Sequence, residues 1–362
     1  AVRPRCSDQT TDVRTKQPFA GLYEFEIFAI FEEKFDNFGA KIMKDHSVKL
    51  AILQVLSNGT FCSGEELGKG LGISRAAVSK HIKGIQDWGI DIFRVQGKGY
   101  QLAKPIELLD KDIIQNQVDN PVALIPVIDS TNQYLLDRAD MLESGAVCIA
   151  EYQSNGRGRR GREWISPFGS NLYLSLYWRL DAGMAAAMGL SLVVGIAIVE
   201  ALEKLGLPNI KLKWPNDLYF GDKKLAGILV EMSGQAGAAA NLVIGMGLNI
   251  HMPKNTEGIS QPWSCLESVA NGDPIDRNAL AAKMISTLND TLRIYEQVGM
   301  VQFVDKWNKL DNFINRPVKL IIGAKEISGI SRGIDSQGAI VIETQQGLET
   351  YIGGEISLRP AQ

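Results

Sequence analysis

Apolar positions run at helix spacing from about residue 44 to residue 90, and then at strand spacing as far as Leu102. Val48, Leu50, Ala51, Ile52, Val55 and Leu56 make one side of a first helix, which Ser57-Asn58-Gly59 ends. Ser63 followed by Glu66 has the form of a capping box and opens a short second helix that runs to about Gly70. Ser74 caps a third helix, on which Val78, Ile82 and Ile85 recur at i, i+4 and i+7 and leave Arg75, Ser79, Lys80 and Lys83 facing outward. Ile92 to Leu102 reads as two short strands about a Gly97-Lys98-Gly99 turn. Three helices and a hairpin predict a winged helix-turn-helix, the arrangement that lays a basic third helix in a DNA major groove.

Beyond a linker at Ala103 to Ile106, strand and helix patterns mix. Val122 to Ile128 reads as one apolar strand ending at Asp129-Ser130-Thr131-Asn132-Gln133, with a helix beginning at Tyr134. Asn171 to Trp178 alternates with strand period, and Met184 to Leu205 reads as a single long helix. Ile210 to Lys213 and Leu218 to Phe220 flank the corner Trp214-Pro215-Asn216-Asp217; Lys223 to Glu231 and Asn241 to Ile250 continue as strands, the last carrying Gly245 and Gly247. Strands joined by turns as well as helices predict a mixed, largely antiparallel sheet, so the fold class is α+β. Asn315 to Arg359 is a run of short strands with glycine turns. These shifts place borders at residues 1–42, 43–104, 105–312 and 313–362.

A hydrophobic content of 45% over 362 residues can bury a substantial core divided among two or three domains. The net charge of −3 argues against a protein that coats nucleic acid along its whole length. Between Lys44 and Tyr100, however, eight Lys or Arg stand against five Asp or Glu, enough for one DNA-binding module. On that reading Arg75, Ser79 and Lys80 reach base edges, Lys83 and Lys98 take phosphates, and Ser74 at the helix start belongs to the same DNA-binding set. A winged helix that only packs against a partner domain would share the pattern. Cys6, Cys62, Cys148 and Cys265 have no C-x-x-C spacing, which argues against structural zinc or a disulfide framework and fits a reducing cytoplasm. The sequence supplies no uncharged apolar run of about 18 residues for a membrane span. Residues 1–42 are polar and then acidic-aromatic, unlike a signal peptide, and read as an extension upstream of a start at Met43.

The chemistry concentrates in Gly156-Arg157-Gly158-Arg159-Arg160-Gly161, followed by Arg162. Glycines let backbone approach a ligand closely, and guanidinium forks hold carboxylate or phosphate, so the run describes a loop for a dense anionic group. It also satisfies G-x-G-x-x-G, but a dinucleotide fingerprint opens a helix, and strand-period text follows here. Ser130, Thr131 and Asn132 at a strand-to-helix corner either cap the helix or face a pocket.

DSTNQ at 129–133, GRGRRG at 156–161, KWPND at 213–217 and KLAGIL at 224–229 together resemble the biotin protein ligase family, and the winged helix in front resembles its bifunctional ligase and repressor form. The resemblance runs from about Met43 to the C-terminus. It implies a catalytic domain like that of class II aminoacyl-tRNA synthetases and a C-terminal SH3-like barrel. The implied reaction joins the biotin carboxylate to the α-phosphate of ATP with Mg2+, then passes biotin to a lysine of a biotin carboxyl carrier protein. Ser130, Thr131, Asn132 and Gln153 match positions for biotin's ureido end, with Arg157, Gly158, Arg159 and Lys224 toward its carboxylate. Gly156, Arg160, Gly161, Arg162, Trp164, Asn216, Asn249 and Trp263 match the adenylate side. Lys224, Arg157, Arg159 and Asp217 carry the catalytic expectation, and no protein metal ligand is assigned. Biotinyl-5'-AMP as corepressor, a homodimer and operator DNA complete what the resemblance implies. The loop at 156–161 and the stretch His251 to Pro262 hold little apolar content and are expected to be loose without ligand. A non-enzymatic repressor sensing a small acid, and a lipoate-type ligase, are the alternatives.

Overall fold

The computed structural model describes residues 37–235, 238–253, 256–352 and 356–360. Most of the upstream extension, residues 1–36, lies outside that range. The first helix, α1 (Asn37–Leu56), begins ahead of Met43, so the border drawn there falls within a helix. Ile52, Leu53 and Leu56 are its buried positions, whereas Val48, Leu50, Ala51 and Val55 are only half-buried. α2 (Gly64–Gly70) carries both capping-box bonds, Glu66 N to Ser63 Oγ at 3.0 Å and Ser63 N to Glu66 Oε2 at 2.9 Å. α3 (Arg75–Gln86) is capped by Ser74 Oγ, which accepts from Ala77 N, and buries Val78, Ile82 and Ile85. β1 (Ile92–Val95) and β2 (Gly99–Leu102) form the antiparallel wing.

This module shares a core with the domain behind it. The Trp88 ring stacks on Phe168 at 5.4 Å, and Phe168 N donates to Trp88 O. The connecting segment is fastened from the other side. Arg277, 2% exposed, donates to Glu107 O, Asn171 O and Glu151 Oε2, while Glu151 Oε1 accepts from Leu109 N. Breaking one half of a buried ion pair of this kind costs about 3–5 kcal/mol, because the other charge is stranded.

After α4 (Lys111–Gln115) come β3 (Val122–Leu124) and β4 (Val127–Ile128). The single strand expected over Val122 to Ile128 is therefore two. Pro126 lies between them, its carbonyl accepts from Glu151 N and Tyr152 N, and β4 leaves the main sheet to pair in parallel with β6 (Tyr152–Gln153). α5 (Thr131–Leu136) starts earlier than Tyr134, which puts Thr131 and Asn132 in its first turn. β5 (Val147–Ala150) and β7 (Asn171–Leu180) follow. The long helix expected over Met184 to Leu205 is a 3-10 turn at Met184–Ala187 and then α6 (Leu190–Lys204). Gly189 breaks them with a left-handed φ of 81°, and a Cβ there would lie 2.9 Å from Met300 Sδ.

β8 (Ile210–Lys213), β9 (Asp217–Phe220), β10 (Lys223–Ser233) and β11 (Ala240–Asn249) complete the central sheet, in the order β3-β5-β7-β11-β10-β9-β8 among the described residues. Only the β3–β5 pairing within it is parallel, which matches the expected mixed, largely antiparallel sheet. After α7 (Leu266–Val269), α8 (Arg277–Val298) packs with α6 over one face, meeting Leu172, Leu174, Leu176 and Trp178 of β7. Tyr177 and Val243 share the opposite face with Leu135 of α5, and Ser175 hydrogen-bonds to that helix there too. That face carries the site.

α9 (Val304–Leu310) leads to β12 (Pro317–Ile322), β13 (Lys325–Ile334), β14 (Ile340–Thr344), β15 (Gly347–Tyr351) and β16 (Ile356–Pro360), an antiparallel sheet in the order β15-β14-β13-β12-β16. It braces the KWPND corner, since Asn312 N donates to Leu212 O and Trp214 Nε1 to Gly338 O. Among the described residues no helix is long and apolar enough to cross a membrane.

Candidate active site and DNA face

A cavity of about 770 Å³ opens on the α5 face of the central sheet. Its floor is backbone. Gly227 of β10 pairs opposite Gly247 of β11, and Gly245 lies two residues along the same strand. A Cβ would meet Asn132 Oδ1 at 2.2 Å if added to Gly245, and Trp164 Cε2 at 2.3 Å if added to Gly247.

At one end stand Ser130, Thr131, Asn132 and Gln153, brought together as expected. Ser130 is the N-cap of α5, accepting from Gln133 N at 3.4 Å, so its oxygen is partly committed to the helix. Thr131 N and Oγ1 both donate to Gln153 Oε1, and Gln153 Nε2 donates to Ser166 Oγ. Fully buried Ser175 lies 2.7 Å from Thr131 Oγ1 and 2.5 Å from Asn132 Oδ1. Asn132 Nδ2 donates to Glu231 Oε2 at 2.7 Å and to Leu229 O at 3.3 Å. Both Asn132 donors are thus spent, and Oδ1 keeps one acceptor position.

The arginine loop is held by its own backbone rather than by apolar packing. Gly158 N donates to Arg162 O, Trp164 N to Gly156 O, and Arg157 pairs with Glu163 as a bridge. Arg160 adopts a left-handed φ of 61° that side chains other than glycine rarely take, a strain of the kind that gathers at functional loops. Arg157, Gly158, Arg159, Arg160 and Arg162 line the cavity. Gly156 and Gly161 do not; they line a second hollow of about 560 Å³ behind the loop. Gly156 is there to let the loop pass, since a Cβ would lie 2.4 Å from Trp164 O.

The two inner arginines differ. Arg157 has its terminal nitrogens on Gln133 Oε1 (3.1 Å) and Glu231 Oε2 (3.0 Å), which tie the loop to α5 and β10. Arg159 donates to Asn216 Oδ1 at 3.1 Å, and burial beside Arg160 lowers its pKa from the usual value. Opposite the loop, Lys224 Nζ lies 2.8 Å from Asp217 Oδ1, both side chains being about 15% exposed, and 5.4 Å from the Trp164 ring centre. That contact is an ion pair at an angle poor for hydrogen bonding, because Asp217 Oδ1 has no hydrogen-bond partner.

Trp164, Asn216, Asn249 and Trp263 line the remaining wall. Asn249 donates to Ser264 O, and residues around Trp263 pair with the Lys224 backbone, through Lys224 N to Pro262 O and Ser264 N to Lys224 O. The end of the stretch expected to be loose is therefore strapped to β10; its residues 254–255 lie outside the described ones. Buried Trp164 Nε1 has no hydrogen-bond partner among the described residues.

Sequence reasoning missed Ser175, Glu231 and Gln133. Ser175 had a signal, as the polar residue within an apolar strand, and Gln133 had one as the last residue of DSTNQ; Glu231 had none. Among the described residues no cluster of three His, Cys, Asp or Glu could hold a metal ion. Among the described residues Cys62, Cys148 and Cys265 form no disulfide, and Cys6 lies outside the described range.

On the winged module Arg75, Ser79, Lys80, Lys83 and Lys98 are all exposed, as is Arg94, which sequence reading passed over. Ser74 is exposed too, but its oxygen serves as the α3 cap.

Residues 124–249 match the Biotin/lipoate A/B protein ligase family, residues 48–101 an HTH domain, and residues 313–359 the Biotin protein ligase C terminal domain. The chain belongs to the biotin protein ligase family. Within it, the chain is similar to the Bifunctional ligase/repressor BirA of Salmonella typhimurium, 57% identical over 88% of this chain and 100% of the relative. The Escherichia coli protein of the same name is 56% identical over the same shares. Among solved structures, the Biotin protein ligase from Aquifex aeolicus in complex with biotin and ATP superposes with a TM-score of 0.60 at 29% identity, covering 67% of this chain and 99% of that one.

Proposed function

We infer that this chain activates biotin with ATP, transfers it to a protein lysine, and acts through its winged helix as a transcriptional repressor. The observation that carries the enzymatic half is the shared cavity. A cluster of small polar groups at one end, and Arg159 and Lys224 toward the other, face the same hollow.

Ser175-backed Thr131 and Asn132, with Gln153, suit the cyclic urea of biotin. Asn132 Oδ1 would accept a ureido N–H. A lipoate ring offers no such donor and would leave these buried groups unsatisfied, which disfavours the lipoate alternative. In the first step a biotin carboxylate oxygen bonds to the α-phosphorus of ATP and the bond to the bridging oxygen breaks, releasing pyrophosphate. Lys224 and Arg159 lower the repulsion between the two anions as they meet. Arg157 acts on the loop rather than on the carboxylate. In the second step a lysine amine attacks the acyl carbonyl and AMP leaves, with Asp217, relieved of Lys224, placed to take the amine's proton. Trp164 and Trp263 flank the adenylate, with Asn216, Asn249, Arg160 and Arg162 around it.

Mg2+ fits as an ion that arrives with the nucleotide. Asp217 is one carboxylate at the phosphate end, and Mg2+ ordinarily takes one or two carboxylates together with phosphate oxygens. When bound, it would supply further neutralisation of phosphate charge.

The acceptor is a biotin carboxyl carrier protein, and the setting cytoplasmic. With biotinyl-5'-AMP bound, the protein pairs as a homodimer on operator DNA. The β10 edge supports this, since β9 pairs only as far as Gly227 and Met232 beyond it is 49% exposed. Biotin-dependent exchange of pyrophosphate into ATP is the decisive assay; no exchange would leave only the sensing repressor. Sedimentation with biotin and ATP should show a larger dimer fraction than without, and an unchanged fraction would remove ligand-coupled pairing.

A further inference from the structure

Asn132 has an amide that could face either way. In one orientation its oxygen meets Ser175 and offers its remaining lone pair to the cavity; in the other the NH2 group would face Ser175. Ser175 cannot decide between them, because a hydroxyl both donates and accepts. Glu231 can. A carboxylate only accepts, and Glu231 Oε2 sits 2.7 Å from Asn132 Nδ2, the shorter of its two contacts, the other being the Leu229 carbonyl at 3.3 Å, so the NH2 must turn toward β10. The same oxygen takes Arg157 Nη2 at 3.0 Å. We propose that Glu231 is a positioning residue that fixes the polarity of the Asn132 amide, and thereby makes this end of the cavity a receptor for a ligand N–H rather than for a carbonyl. The inference rests on the proposed role of Asn132 in holding the ureido ring.

Glu231→Leu tests it at similar size. Leucine offers no acceptor, so only the longer 3.3 Å bond to the Leu229 carbonyl is left to orient Asn132, and Arg157 loses one anchor as well. The KM for biotin in pyrophosphate exchange should rise about tenfold or more, the factor that losing one hydrogen bond to a buried group brings. The kcat and the KM for ATP should stay within about threefold. Two cyclic-carbamate analogues of biotin, each with one ureido N–H replaced by oxygen, supply the selective readout. The wild type should reject the analogue that lacks the N–H facing Asn132, and Glu231→Leu should lose most of that discrimination. An effect acting only through Arg157 and the loop would raise the biotin KM but leave the discrimination intact, and that result overturns the proposal.

A second variant covers failure of the first to fold. Asn132→Asp puts two carboxylates together and should bind biotin poorly; adding Glu231→Gln restores a donor-acceptor pair with an oxygen toward the ligand. The double variant should recover at least about tenfold over Asn132→Asp alone. No recovery overturns the proposal. Absence of biotin-dependent exchange in the wild type would instead overturn the functional reading.

Discussion

Lys224 begins in the wrong partnership for catalysis. Its ammonium lies on Asp217, so an incoming carboxylate and triphosphate must outcompete one buried carboxylate for it. Two anionic groups meeting at one point can do so, and the exchange would leave Asp217 available as the reaction moves to the acceptor amine. Lys224→Ala should therefore lower exchange on the order of 10²-fold or more, the usual scale for removing one group that stabilises developing charge. Turnover close to wild type would take Lys224 out of that role. Arg157 makes a contrasting case: from sequence it stands with Arg159, yet its guanidinium is occupied by Gln133 and Glu231. That the run of arginines forms a glycine-spaced loop was legible, whereas the partner each guanidinium takes was not. The deciding partners sit 24 and 74 residues away.

Elements whose signals lie within a few residues could be read directly. The capping box at Ser63, the Ser74 cap and the i, i+4, i+7 face of α3 all involve neighbours on one helix, and each formed as the text predicts. Two elements were drawn too long, across Pro126 and across Gly189, because apolar content was followed past a residue that cannot continue the element. Contacts such as Ser175 to Asn132 depend on which strands and helices meet, and local text does not carry that. The joint between α9 and the C-terminal sheet adds a titrating group of its own. Burial raises the Asp311 carboxyl from 3.8 to about 6, although its Oδ1 accepts from Phe313 N. Between those values the folded chain keeps a proton that the unfolded chain has released, so this group's contribution to stability is present below 3.8 and is lost as pH rises through about 6. Asp311→Asn keeps the acceptor and removes the titration. Urea unfolding should then show a flatter pH dependence across that window and a more stable variant at neutral pH.

At the scale of the molecule, charge is divided as the work is divided. The chain is acidic overall, while the outward face of α3 and the wing present Arg75, Lys80, Lys83, Arg94 and Lys98 to solvent. Affinity for duplex DNA should accordingly fall steeply with salt, and Lys83→Ala should reduce the slope of log K against log salt by about 0.9 if it neutralises one phosphate. Titrating a mixed-sequence duplex at several salt concentrations measures this, and an unchanged slope would exclude the contact. The bare floor formed by Gly227, Gly245 and Gly247 has a consequence for redesign. No side chain remains there to trim, and Trp164 and Asn132 lie directly against it, so adapting the enzyme to bulkier carboxylic acids has to begin at the Trp164 wall, and any substituent added to the floor would first displace Trp164 or Asn132.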